Sequence, residues 1–289
     1  MIDEVSISNF KSIFHQSFAL GRVNVFVGSR GSGKTNILEG LGMASAAHDD
    51  ALDRDSLIKR GINPTKMFHS MNDKIEIVWY EKNSWKKAKL VSNDNGDTWR
   101  DISWYETAYI DKINNLIQFI GDGSIQGQYP FADEAKNSTL NAAFRGSRNF
   151  RDFQIYRPKP GDVPVLDDET AEKIFSIFTP QQVKKLQTLA TTPELMFYLS
   201  LFSERRTPVI FAIDNIENFI APDACSKLMP YVAQLAIRYS KQAYITTSNP
   251  AVVKGMDLSL PEQKLFLVKK EKNGQTTVKQ VEDKTLLEI

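Results

Sequence analysis

GSRGSGKT, residues 28–35, follows the apolar run VNVFV (23–27) and opens a helical stretch from Thr35 to about Ala47. It matches G-x-x-x-x-G-K-[ST] without a mismatch, and strand, loop and helix in that order are the context in which the pattern binds phosphate. Gly28, Gly31 and Gly33 let the backbone curl until its N–H groups face an anion, and the positive end of the following helix adds to the field. The whole loop (Gly28, Ser29, Arg30, Gly31, Ser32, Gly33, Lys34, Thr35), with Asn36 behind it, is therefore expected to hold ATP. Lys34 is expected at the β- and γ-phosphates and the Thr35 hydroxyl on Mg²⁺.

Working outward, apolar or alternating runs predict strands at Val5–Phe10, Ile13–Phe18 and Val23–Val27. From Lys74 to Trp104 the runs KIEIVWY, WKKAKLV and TWRDISW are separated by turn-rich pieces, which predicts an antiparallel β-subdomain over about 70–110. Residues 110–165 scatter Gly, Pro, Asn and Ser and read as a loop-rich insertion with one short strand, FQIY (153–156). Helices are predicted at about 168–188, 193–204 and 222–239, and strands at PVIFAID (208–214), QAYITT (242–247), KLFLV (264–268) and TTVKQV (276–281). This alternation predicts an α/β fold of the P-loop NTPase kind, with a mainly parallel sheet flanked by helices, in one domain over residues 1–289.

The totals are neutral: 36 basic against 35 acidic residues in 289 give +1, which points to neither a nucleic-acid nor a membrane partner. The lone Cys225 excludes an internal disulfide and a multi-cysteine zinc site and fits a reducing cytoplasm. MIDEVSISNF carries acids in its first four residues and does not read as a signal peptide. No stretch approaches the roughly 18 consecutive apolar residues of a membrane span, so a cytoplasmic protein is expected.

Asp214 ends the uninterrupted apolar run VIFAI, which suits a central strand buried on both faces. An acid at that end would sit beside the phosphates as a partner of Mg²⁺. Taken together, VSISNFKSI, LGRVNVFVGSRGSGKTNILEGL, VIFAIDNIENFIAP and AYITTSNPAVV resemble the ABC-type ATPases of the RecF/SMC and OLD-like group. The resemblance covers roughly the first 50 residues and the last 90. It implies that the turn Asn9, Phe10, Lys11 and Ser12 lines the adenine side, and that subunits associate through the nucleotide face into a dimer or larger homo-oligomer. It further implies action on DNA ends, or phage defence with a separate effector. About 180 residues without heptads separate the P-loop from Asp214, so neither a coiled-coil arm nor an appended nuclease domain is expected.

Four departures from the group bear on mechanism. The Glu that usually follows the strand-end Asp is Asn215, which cannot accept a proton at neutral pH, and losing a general base costs about 10²–10⁴-fold in rate. Glu217 could substitute only if the loop returns it, since in extended chain it lies ~6–7 Å further along. The switch histidine is replaced by Ser248, which can bond a γ-phosphate but does not titrate, and His15, His48 and His69 lie elsewhere. The best match to the signature loop, LATTPELMFYL, lacks glycine and places Pro193 and Glu194 at a helix start. The usual P-loop Asn is Arg30, open to a partner subunit, a phosphate or plain solvation.

The segment FRGSRNFRDFQIYRPKP gathers Arg145, Arg148, Arg151, Arg157 and Lys159 and reads as a solvated loop more than a phosphate-binding patch. Trp79, Trp85, Trp99 and Trp104 read as packing residues. The expectation is an ATPase that holds ATP·Mg²⁺ well, turns it over slowly and regulates or drives a partner. A non-hydrolysing scaffold or sensor and a RecF-like DNA-repair clamp are the alternatives.

Overall fold

The computed structural model describes residues 1–48, 51–63, 74–81, 84–93, 98–101, 150, 152–157, 168–189, 193–218, 220 and 222–284. The bulk of the expected insertion, and with it Arg145, Arg148, Arg151 and Lys159, lies outside the described residues, as do Trp104 and the 190–192 stretch. The chain opens with β1 (Ile2–Phe10), β2 (Ile13–Ala19), β3 (Val23–Val27), α1 (Lys34–His48) and α2 (Arg54–Lys59). The meander follows as β4 (Ile75–Glu81), β5 (Ser84–Asn93) and β6 (Thr98–Asp101). Then come β7 (Ile155–Tyr156), α3 (Asp168–Phe175), α4 (Pro180–Leu189), α5 (Pro193–Ser203), β8 (Ile210–Ile213) and α6 (Pro222–Arg238). The described chain closes with β9 (Gln242–Thr247), α7 (Pro250–Lys254), β10 (Gln263–Lys270) and β11 (Thr276–Val281).

Six strands in the order β11-β10-β3-β9-β8-β7 form the central sheet, parallel except for the β10–β11 hairpin. Every residue of β3, β8 and β9 is buried, as two-faced strands must be. Side chains alternate between two cores: Phe26, Tyr244 and Phe266 enter one with α1 and the antiparallel sheet, while Val25, Ile245 and Leu265 enter the other among α3–α7. Phe26 stacks on Phe266 at 4.9 Å, with Phe18 of β2 against both.

The second sheet, β2-β1-β4-β5-β6, is antiparallel throughout, so the opening strand pair joins the meander and extends it. Gln242 ties the two sheets together: its carboxamide accepts from Ile2 N at 2.9 Å and donates to the carbonyls of Ile2 and Gly21, both at 2.7 Å. Trp79 and Trp99 are buried in this layer, as packing residues should be. The helix expected over 168–188 is instead two. Thr179 and Gln182 form a reciprocal cap, Gln182 N to Thr179 Oγ1 at 3.3 Å and Thr179 N to Gln182 Oε1 at 2.9 Å, with Pro180 opening α4. The T-P-Q-Q spelling carries that start signal. Two short helices not read from the sequence, α2 and α7, start at Asp53 and Asn249, whose side chains accept from Ser56 N and Ala251 N. Among the described residues no helix is long and apolar enough to cross a membrane.

Candidate functional site

The P-loop leaves the C-terminal end of β3 with Gly31 at φ 81 and Gly33 at φ 104, conformations that L side chains rarely adopt. Gly33 also lies under Thr276 of β11, where a Cβ would fall 2.0 Å from the threonine hydroxyl, while at Gly31 nothing lies within 4 Å. The loop is thus pressed against the β10–β11 hairpin on one side and open on the other. The open side faces a cleft of about 560 Å³, lined by Arg30, Gly31, Lys34 and Thr35 and, across from them, Asn215, Glu217, Asn218 and Ser248.

Lys34 Nζ donates to the carbonyls of Gly28 at 2.8 Å and Ser29 at 2.9 Å, which leaves one N–H free of the loop. Burial pushes its ammonium below the ordinary value, against the pull of the Glu217 and Asp214 charges. Thr35 Oγ1 reaches both oxygens of Asp214 at 3.1 Å. Thr246 Oγ1 donates to Asp214 Oδ1 at 2.6 Å and accepts from Asn215 N at 2.8 Å, so the strand end is tied to its neighbour through the carboxylate.

Asn215 has φ 56, a left-handed residue directly after the strand. The chain therefore turns back, with Asn218 N donating to Asn215 O at 2.9 Å, instead of running on extended. This turn returns Glu217 to the cleft. Ser248 N and Ser248 Oγ both donate to Glu217 Oε1, at 2.8 and 2.7 Å, while Glu217 Oε2 is buried with no partner.

Asn9 and Lys11, expected beside the base, do not line this cleft. Asn9 Nδ2 donates to Lys74 O at 3.2 Å, and Lys11 forms an ion pair with Glu39 and donates to Asn63 O at 3.0 Å. Both sit at positive φ, 57 and 53, which shapes the tight β1–β2 turn. Ser12 Oγ meets Thr276 Oγ1 at 2.6 Å and accepts from Asn36 Nδ2 at 2.6 Å, so Asn36 braces the loop from the side. Ser32 is buried with its Oγ unpartnered, and Thr276 Oγ1 donates to the Ser32 carbonyl at 2.9 Å. Arg157, Glu39, Thr246 and Thr276 are the site-forming residues that spacing alone did not single out. Of the four aromatics of the basic segment, Phe150 and Phe153 are buried in the core, where they cannot stack on a base, and Phe144 lies outside the described residues.

The donor set fits ATP with Mg²⁺. Thr35 and Asp214 offer hard oxygens side by side, and among the described residues no cluster of three His, Cys, Asp or Glu could cage a metal alone. A hard cation here must complete its shell with phosphate and water oxygens, as Mg²⁺ does. Such an ion would neutralise charge on the phosphates when bound. The orphaned Glu217 Oε2 and the spare Lys34 N–H are among the polar atoms left to meet a ligand.

A family model described as an AAA domain matches residues 4–219. Over 81 residues the chain is 33% identical to the DNA double-strand break repair Rad50 ATPase of Saccharolobus solfataricus, a match covering 27% of this chain and 9% of that protein. Thus the chain spans only about 9% of the length of the curated relative it matches. Among solved structures, it is similar to the SMC head domain from Thermotoga maritima, with a TM-score of 0.48 and 15% identity over 97% of this chain and 98% of that one. The SMC head bound to the C-winged helix domain of ScpA gives a TM-score of 0.48 and 13% identity over 97% and 98%. With a family match that takes in both the P-loop and Asp214, the chain belongs to the AAA domain family and carries a P-loop NTPase fold of the ABC-ATPase kind.

Proposed function

We propose that the chain binds ATP·Mg²⁺, hydrolyses it slowly with Glu217 as the carboxylate that orients the attacking water, and assembles through its nucleotide face. The observation behind this reading is the Glu217–Ser248 pair across the cleft from Lys34 and Thr35. Asn215 lacks a basic oxygen, whereas Glu217 keeps one carboxylate oxygen unpartnered. Tethering Oε1 to Ser248 orients the carboxylate and leaves one oxygen to meet water. Arg30, on the open rim of the cleft, is the residue offered to a second copy that covers the γ-phosphate. Assembly would then regulate or drive a separate protein effector, with antiviral defence the process that the group resemblance suggests. Asn215 alone favours a second reading, a scaffold that holds ATP without hydrolysing it.

Steady-state phosphate release, with sedimentation of the nucleotide-free and ATP·Mg²⁺ forms, tests the proposal. A rate well below the ordinary enzyme median of about 10 s⁻¹, abolished in Glu217→Gln, together with a larger species in ATP, is the expected result. No phosphate release at all selects the scaffold, and identical sedimentation profiles count against assembly.

A further inference from the structure

Behind Asp214 lies a second cation besides Lys34, the guanidinium of Arg157. Arg157 follows β7, the edge strand, and β7 runs parallel to β8 with Tyr156 opposite Ile213, which sets Arg157 level with Asp214. Its Nε donates to Asp214 Oδ2 at 2.8 Å, its Nη2 reaches Glu39 Oε1 at 3.2 Å, and its Nη1 bonds the Gly61 carbonyl. Asp214 and Glu39 are nearly sealed, with side chains 4% and 3% exposed, while the guanidinium is 36% exposed. Glu39 already has Lys11, and its Oε1 also accepts from Asn63 N at 3.1 Å. Among the described residues Arg157 is the cation hydrogen-bonded to Asp214, whose other side-chain contacts are the hydroxyls of Thr35 and Thr246, while the nearby Lys34 charge also acts on it.

We infer that Arg157 is a built-in counter-cation of the magnesium side of the site, a positioning residue that weakens the site's demand for a divalent ion. This rests on the reading of Thr35 and Asp214 as the magnesium-side pair. A fixed charge bonded to Asp214 offsets the carboxylate's pull on a divalent ion and repels that ion through the low-dielectric wall. The same charge adds to the attraction of metal-free triphosphate. Both effects shrink the ratio between ATP affinity in Mg²⁺ and ATP affinity in EDTA. The fork geometry makes the residue specific: one planar guanidinium spans two carboxylates and a carbonyl, which a neutral side chain cannot do.

The test is calorimetric titration of ATP into the full chain in excess Mg²⁺ and in EDTA, for wild type, Arg157→Gln, Arg157→Met and Arg157→Lys, each checked for folding by thermal melting. The expected result is a Mg²⁺/EDTA affinity ratio higher by about ten-fold in whichever uncharged variant folds, and near the wild-type ratio in Arg157→Lys. A folded uncharged variant with an unchanged ratio overturns the inference, as does Arg157→Lys behaving like Arg157→Gln. Wild type that binds no ATP in either buffer overturns the nucleotide reading beneath it, and so the two failures are distinguishable.

Discussion

Ser248 holds Glu217 by two bonds to one oxygen, its amide at 2.8 Å and its hydroxyl at 2.7 Å both ending on Oε1. The carboxylate is thereby oriented by a residue 31 positions away on the same side of the cleft. Glu217→Gln is expected to reduce phosphate release by about 10² or more, with ATP binding retained. If Glu217 is the base, as proposed, Asn215→Glu is expected to change the rate little. A large gain in steady-state phosphate release from Asn215→Glu would return the role to position 215.

Lys34→Ala should abolish productive ATP binding. The buried ammonium is the cation within the motif placed to meet the β- and γ-phosphates, and it also pins the Gly28 and Ser29 carbonyls. Calorimetry should show affinity reduced by about 10² or more, and an unchanged isotherm would sink the assignment.

The two strained glycines should behave differently. Gly31→Ala meets only the cost of its positive φ, whereas Gly33→Ala adds a Cβ 2.0 Å from Thr276 Oγ1. Chemical denaturation should show Gly33→Ala destabilising by roughly 2–4 kcal/mol and Gly31→Ala by roughly 1 kcal/mol. Equal effects would mean that the hairpin does not press on the loop.

Gln242→Leu should loosen the seam between the sheets. It would leave Ile2 N and the Ile2 carbonyl without their Gln242 partner, while the Gly21 carbonyl keeps Asn24 Nδ2 at 2.9 Å. A loss of roughly 2–4 kcal/mol in denaturant stability is expected, and a change below the measurement error would refute the tie.

Lys241 makes stability depend on alkaline pH. Its Nζ donates to the carbonyls of Glu204 at 2.9 Å and Thr207 at 2.6 Å, and burial pulls its pKa down to about 8, partly opposed by the Glu204 charge. The folded value lies below the 10.5 of a free lysine, so between pH 8 and 10.5 the unfolded chain keeps a proton that the folded chain has released. Stability from this group therefore rises with pH across that window, by at most about 1.4 kcal/mol per unit. The difference between the stability curves of wild type and Lys241→Met should carry that slope, and a flat difference would exclude it.

The phosphate-binding loop, the buried strands around it and the carboxylate at the end of β8 were legible in the sequence because each is a local pattern. Glycines at fixed spacing permit one backbone shape, and uninterrupted apolar runs demand burial on both faces. The meander was legible for the same reason, through alternation broken by turn residues. Its union with β1 and β2 was not, since sheet pairing is chosen by partners distant in sequence. The break at Thr179 was written in a capping signature, but the amphipathic pattern on either side masked it.

The place of Glu217, the proposed base, and of its neighbours was decided by tertiary structure. Extended-chain spacing places Glu217 away from the phosphates, and only the left-handed Asn215, stabilised by Thr246, turns it back onto Ser248. Asparagine is among the few non-glycine residues that turn left-handed, but that preference is too weak to fix the turn by itself, and contacts across the sheet must hold it. Arg157 likewise reads as one cation among several in a basic segment, and it becomes part of the site because β7 pairs with β8. Sequence by itself determined what this chain binds with, through short-range sterics and patterning. Which oxygen of Glu217 is left unpartnered, and which cation stands behind Asp214, depended on strand pairing and burial that bring residues 31 and 57 positions apart into hydrogen-bonding distance.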